Sequence, residues 1–217
     1  MKLSKQTLAT LANLSLINSN IIIKPGNLLS SCSAAKNIFA FVTVEENFDT
    51  EFGIYDLKEF LGAVTVFDDP DVEFKDKEVT ISEGRNQIRY LSADTSILIS
   101  PKGQPKLPSV DVEFSVTADQ LSKIVKTASV LKVGFVSVVG NGEKIVLKVQ
   151  DKANKNSNNF SIEIGDTDKM FEVHFKVDLL KMPADDYQVQ ISKAKIAQFS
   201  GEKKVFILAA ETDSTFA

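Results

Sequence analysis

Hydrophobic positions along this chain recur at two spacings, and the spacings alternate in a fixed order. Ser4 to Leu11 carries apolar residues at helical period: on a wheel of 100° per residue, Leu3, Thr7, Leu8, Leu11 and Leu14 share one side, and Lys2, Lys5, Ala9 and Asn13 the other. Strand-sized runs follow around the Pro25-Gly26 turn, from Asn20 to Lys24 and from Asn27 to Cys32. A strand at Phe52 to Tyr55 then leads into a second helix over Asp56 to Leu61. Three more strands close the series, at Val72 to Phe74, Glu78 to Ser82 and Gln87 to Leu91, with charged turns between them.

The same order returns in the second half. Thr117 to Ile124 predicts a helix, with Leu121, Ile124, Ala128 and Leu131 as its apolar stripe and Asp119, Ser122, Lys123 and Lys126 facing away. Thr117 with Gln120 makes a capping box, and Val116 with Leu121 a hydrophobic staple, so this helix rests on more than periodicity. Val133 to Val139 and Ile145 to Val149 flank Asn141-Gly142, a strong hairpin signal. Phe171 to Phe175 reads as a strand entering a fourth helix over Val177 to Met182, and strands at Tyr187 to Ile191, Lys195 to Phe199 and Val205 to Ala209 close the half. A repeat of this kind fixes architecture before any motif does. The expected class is α+β: two similar strand-rich domains, each with two short helices lying on one face of its sheets. Pro101, Gly103, Pro105 and Pro108 break regular structure between the halves. The expected domains are therefore residues 1–94 and 111–217, with 95–110 as the interdomain linker, where Ile97-Leu98-Ile99 is an apolar patch or edge strand. The polar stretch 151–159 reads as an exposed hairpin loop.

Composition narrows what such a chain can do. With 43% hydrophobic residues it can build a real core. The longest apolar runs are strand-sized, so no membrane-spanning helix is expected, and the N-terminus lacks the pattern of a signal peptide. A single cysteine, Cys32, excludes an internal disulfide and fits a reducing cytoplasm. The net charge of −4 argues against holding nucleic acid by bulk charge, so the placement of the lysines matters more than their sum. Arg85 and Arg89 are the only arginines, which weakens any case for base-specific readout; lysines suit mobile phosphate contacts.

Catalytic chemistry is hard to find. His174, the only histidine, lies in an alternating strand, and no Gly-x-Ser-x-Gly turn offers it a nucleophile. Asp68-Asp69-Pro70-Asp71 and Asp185-Asp186 sit at turns without the spacing of a calcium loop. Gly140-Asn141-Gly142-Glu143-Lys144 precedes a strand rather than a helix, unlike a phosphate loop. A binding or scaffolding protein is expected, with no enzyme activity, no cofactor and no metal.

Met1-Lys2-Leu3-Ser4-Lys5, Ile17-Asn18-Ser19, Ile54-Tyr55-Asp56-Leu57 with Phe60-Leu61-Gly62, and Glu211-Thr212-Asp213-Ser214-Thr215 resemble, in order and spacing, the DNA polymerase sliding clamps of T-even-type bacteriophages. The resemblance runs over nearly the whole chain and departs most at Asp94 to Val110 and Lys152 to Asn159. It implies the sliding-clamp fold, assembled as a homotrimer into a closed ring around double-stranded DNA. It also implies a processivity factor for a DNA polymerase, opened by an ATP-dependent clamp loader, with late-transcription factors as further partners, in the host cytoplasm. Helices line the hole in this family, so Lys2, Lys5, Lys58, Lys123, Lys126 and Lys181 are the expected DNA-facing residues; taken alone they read as solvated helix faces. Partner peptides dock near the interdomain linker in this family, which points to Ile97, Leu98, Ile99 and Leu107; taken alone these read as packing of a connecting segment. Four helices from each of three subunits, about 9 Å apart, give a ring roughly 35 Å across and a hole of roughly 25 Å, wide enough for a duplex. The competing readings are a non-enzymatic β-rich structural protein of a virion, which has no reason to gather lysines on helix faces, and a β-rich enzyme or carrier, which needs a convergent polar site.

Overall fold

The computed structural model describes residues 1–154 and 156–217. They form two compact units, Met1–Gln104 and Pro105–Ala217.

In the first unit α1 (Lys5–Ile17) is followed by β1 (Ile21–Ile23), β2 (Gly26–Cys32), β3 (Ile38–Phe48), β4 (Phe52–Ile54), α2 (Leu57–Val64), β5 (Asp71–Phe74), β6 (Glu78–Glu83) and β7 (Asn86–Leu91). Ser4 caps α1, its Oγ accepting the Thr7 N–H at 3.1 Å. Asp56 caps α2 by accepting from the N–H groups of Lys58 and Glu59. β2 pairs with β3, β1 with β4, and β5, β6 and β7 form an antiparallel meander. The Pro25-Gly26 turn thus does not close a hairpin between β1 and β2: each strand finds its partner further along the chain. Half-buried Phe74 packs against the core rings of Phe48, Phe52 and Phe60, at 5.3, 5.6 and 6.4 Å.

The second unit runs β8 (Val112–Val116), α3 (Ala118–Val130), β9 (Phe135–Asn141), β10 (Lys144–Val149), β11 (Phe160–Asp166), β12 (Met170–Lys176), β13 (Tyr187–Ser192), β14 (Ile196–Ser200), β15 (Lys204–Ala209) and β16 (Thr215–Phe216). One sheet has the order β11-β10-β9-β12-β16; β8, β13, β14 and β15 are also neighbours in that order. The capping box of α3 is present on both sides: Gln120 N–H reaches Thr117 Oγ1 at 3.3 Å and Thr117 N–H reaches Gln120 Oε1 at 2.9 Å. Val116 and Leu121 are buried, as a staple requires. Gly142, at φ 86°, turns β9 into β10, and Asn141 Oδ1 accepts from the N–H groups of Glu143 and Lys144.

The fourth expected helix does not form. Val177–Leu179 is a single 3-10 turn, and the chain leaves helical geometry before Lys181. Two causes are local. Lys176 stands at the cap position with no side-chain acceptor, where α2 has Asp56. Pro183 disfavours helical backbone at Met182 and cannot donate to a helix itself. The four-helix count behind the ring estimate is thus three α-helices and one 3-10 turn. β3, β8, β11 and β16 are strands beyond those the hydrophobic pattern predicts. The loop expected over 151–159 contains Lys155, which lies outside the described residues.

Ile97-Leu98-Ile99 is neither a strand nor an open patch. Thr95–Ile97 is a 3-10 turn, Ile97 is 64% exposed, and Leu98 is buried at 9%. Leu98 packs where β4 has given up a side chain: a Cβ on Gly53 would stand 2.9 Å from Leu98 Cδ1 and 2.6 Å from the Ala93 carbonyl oxygen. Gly53→Ala is expected to cost about 1–3 kcal/mol by overpacking, read as a lower melting temperature in thermal denaturation, with residues 92–99 losing hydrogen-exchange protection first.

Candidate nucleic-acid interface

Each helix buries one stripe and leaves the other in water. The buried residues are Thr7, Leu11, Leu14 and Ile17 on α1, Leu57, Phe60 and Val64 on α2, and Leu121, Ile124 and Ala128 on α3. Lys5, Lys58, Lys123 and Lys126 are exposed on these helices, opposite or beside those stripes. The six expected lysines are not equivalent. Lys2 precedes α1 rather than belonging to it, and its ammonium is bonded to the Asp69 carboxylate and, at 3.0 Å, to the Asp69 carbonyl oxygen. The hydrogen bond from Lys2 to Asp69 raises its pKa above the ordinary value. Lys123 pairs with Asp119 one turn earlier, at 2.8 Å, an exposed pair worth a few tenths of a kcal/mol. Lys5, Lys58 and Lys126 have no carboxylate within ion-pair distance among the described residues. Lys181 is half-buried after the 3-10 turn. Its neighbours Leu180 and Met182 line, with Leu121, Val125 and Lys126 of α3, an open groove of about 380 Å³, so Lys126 and the segment around Lys181 share one surface.

The partner-binding candidates divide as sharply. Ile97 is exposed, Ile99 and Leu107 are half-buried, and Leu98 belongs to the core of the first unit. Ile99 is tied down by its N–H, which donates to Asn20 Oδ1 at 3.0 Å.

Glu46 of β3 carries no signal in the sequence, because it acts 39 and 42 residues from its partners. Its two oxygens accept from the Ser4 N–H and the Thr7 hydroxyl, closing a capping arrangement that a residue of the helix itself usually completes. Burial pushes the Glu46 carboxyl up, but the bonds from Ser4 and Thr7 outweigh it and hold the pKa below the usual carboxylate range. Glu46 thus fixes where the first turn of α1, with Lys5, leaves the sheet.

Catalytic geometry is broken where it comes closest. Ser137 Oγ lies 2.7 Å from His174 Nδ1, but Glu172 stands 3.9 Å from Nε2, too far for the hydrogen bond that orients the base in a triad. Cys32 is buried, and burial pushes its thiol pKa up, away from a reactive thiolate. Among the described residues no three His, Cys, Asp or Glu side chains converge to hold a metal. Among the described residues no helix is long and apolar enough to cross a membrane.

Comparison with known proteins matches residues 2–100 to the family described as DNA polymerase processivity factor and residues 113–212 to the family described as gp45 sliding clamp, C terminal. The chain belongs to the sliding-clamp family. It is 28% identical to the sliding clamp of Enterobacteria phage T4 over 99% of both chains, and 26% identical to that of Vibrio phage KVP40 over 97% of this chain and 99% of the other. The fold matches A. fulgidus PCNA, solved with the C-terminal region of FEN-1, at a TM-score of 0.72, with 14% identity and 96% of each chain covered. The Helicobacter pylori beta clamp, solved with a DNA ligase peptide, matches at 0.63 over 97% of this chain and 66% of that one. The chain is a DNA polymerase processivity factor of bacteriophage type, and the virion-protein reading finds no support. Sliding clamps act by tethering rather than by catalysis.

Glu46→Gln is expected to cost about 1 kcal/mol at neutral pH, the scale of a lost helix cap. A carboxyl whose pKa is depressed by folding stabilises above its unfolded value and loses that contribution as pH falls through the folded value. The gap between wild type and variant in urea denaturation therefore closes on acidification through the carboxylate range.

Proposed function

We propose that this clamp works as a homotrimeric ring that encircles duplex DNA without sequence preference, is opened by an ATP-dependent loader, and itself catalyses nothing. The observation that carries the reading is the set Lys5, Lys58 and Lys126: exposed cations with no carboxylate within ion-pair distance among the described residues, on helices whose opposite faces are buried. Encirclement needs only weak attraction, since tight phosphate contacts hinder sliding, and a few lysines supply a salt-sensitive, sequence-independent pull. Lys2, Lys123 and Lys181 join this surface in a secondary role; the first two already hold Asp69 and Asp119.

Ring closure uses open sheet edges. Among the described residues β7 is hydrogen-bonded on one side only, to β6, and β11 on one side only, to β10. The outer edge of β5, by contrast, is capped by Met1, whose ammonium and carbonyl bond to Val72. β7 carries Leu91 at 62% exposure, an apolar residue on an unpaired edge. Pairing β7 of one subunit with β11 of the next closes a ring from identical chains, the first unit serving as one domain and the second as the other, joined through 95–110. Polymerase and late-transcription partners dock by short peptides on that connecting segment, at Ile97 with Ile99 and Leu107, while Leu98 supports it from within the core. The assembly works in the host cytoplasm.

Light scattering over a concentration series should give a mass near three times 23.8 kDa; a monomer at all concentrations overturns the ring. Replacing Lys5, Lys58 and Lys126 together by Ala should keep that mass and shorten residence on DNA, with the salt slope of log K falling by roughly 0.9 for each phosphate no longer neutralised. An unchanged slope removes these three from the DNA-facing surface.

A further inference from the structure

Lys2 and Lys123 carry charges that DNA does not find free. In the first unit the Lys2 ammonium is held twice by one residue, donating to the Asp69 carboxylate and, at 3.0 Å, to the Asp69 carbonyl oxygen. The backbone sets this pair up. Met1 is zipped to Val72 in both directions: its ammonium donates to the Val72 carbonyl at 2.9 Å, and its own carbonyl accepts the Val72 N–H at 2.7 Å. That ladder lays Lys2 beside the turn at Asp69-Pro70, which Glu83 fixes by accepting the Asp69 N–H at 2.8 Å. The bond to Asp69 raises the Lys2 pKa, and Asp71 and Glu83 add to the negative field around the ammonium. In the second unit α3 does the same within one turn. Asp119 and Lys123 lie on the face away from Leu121, Ile124 and Ala128 and meet at 2.8 Å. All four side chains are more than half exposed, and pairs so exposed contribute little to stability.

We propose, resting on the DNA-facing surface proposed for these helices, that Asp69 and Asp119 are positioning residues for sliding: each competes with DNA phosphates for one lysine and holds the grip of the surface below what its lysine count allows. A lysine that neutralises a phosphate releases a counterion from the duplex, and that release drives the attraction. A lysine already bonded to a carboxylate gives up that bond to make the phosphate contact, so the exchange gains less. Contacts formed by such an exchange are readily lost again as the duplex moves, which suits a protein that must hold DNA without stopping on it. Lys126, on the same face of α3 as Asp119 and Lys123, has no carboxylate within ion-pair distance among the described residues and keeps its full attraction. The acidic groups thus divide the surface into cations that pull and cations that are held back. Asp119 also stands in the first turn of α3, where a negative charge suits the helix N-terminus, so its structural worth has to be separated from its effect on Lys123.

The test is the salt dependence of binding of the intact protein to a short linear duplex. Wild type comes first: a log K that does not fall with salt defeats the DNA-facing surface itself, and this proposal with it. Where it does fall, Asp119→Asn should steepen the slope by roughly 0.9, so that the gain in affinity is about threefold larger at about 50 mM than at about 200 mM salt. Asp69→Asn should act in the same direction and by less, because Asp71 and Glu83 remain near Lys2. Glu73→Gln, which frees Lys75 from an exposed pair that is not on a helix, is the control and should leave the slope unchanged. A slope unaltered by Asp119→Asn while wild type depends on salt overturns the proposal, as does an equal change in Glu73→Gln. Repeating Asp119→Asn in a Lys123→Gln background separates the two ways a carboxylate acts. Loss of the steepening there shows that Asp119 works through Lys123; steepening that persists means that Asp119 repels DNA directly, and overturns the proposal.

Discussion

Leu11, Leu14 and Ile17 on α1, Leu57, Phe60 and Val64 on α2, and Leu121, Ile124 and Ala128 on α3 are all withdrawn from water, and this one-sided burial is the constraint on which the proposed interface depends. Each large apolar side chain so buried contributes about 2 kcal/mol. Rotating any helix by a quarter turn would expose that stripe and drive lysines towards apolar neighbours, where an unpaired charge is expensive. The direction in which Lys5, Lys58 and Lys126 project is therefore set by packing, not by the lysines. The caps at Ser4 with Glu46, at Asp56 and at Thr117 with Gln120 then fix where each helix starts and so where along it the charges stand.

The electrostatics of the molecule fit tethering better than gripping. The chain is net acidic, and some of its basic groups are engaged locally: Lys2 by Asp69, Lys123 by Asp119, Arg89 by Glu78, Lys144 by Asp166. A protein that held DNA by charge alone would leave more of these unpaired. A proposed ring, by contrast, obtains retention from topology, and a small residue of uncommitted lysines is enough to keep the duplex off the walls without binding any phosphate for long.

Much of the fold is legible in the sequence because it is local. Thr117 and Gln120 announce α3, Asn141-Gly142 announces its hairpin, and the meander of β5 to β7 follows from three short apolar runs between charged turns. What sequence cannot show is mostly non-local. β1 and β2 flank the Pro25-Gly26 turn, but their partners are β4 and β3. Lys2 scans as part of a helix face until Asp69, 67 residues away, reaches it. Glu46 has no signature of its own, since its meaning lies in the Ser4 and Thr7 it meets across the fold. The missing fourth helix is the instructive exception. Its signals are local, an uncapped start at Lys176 and Pro183 close behind, and they outweigh the apolar pattern that suggests a helix. Leu98 shows the limit of reading an apolar triplet as a surface: the missing side chain of Gly53 is what draws it into the core.

The central claim is that this protein holds DNA by surrounding it. The most direct measurement loads the clamp, with its loader and ATP, onto nicked circular DNA, washes at high salt, and then linearises the DNA with a restriction enzyme. The account predicts that the clamp survives the wash on circles and runs off the free ends once the DNA is cut. Loss from circles and linear molecules at the same rate would mean that charge rather than topology holds the complex, and would contradict the account.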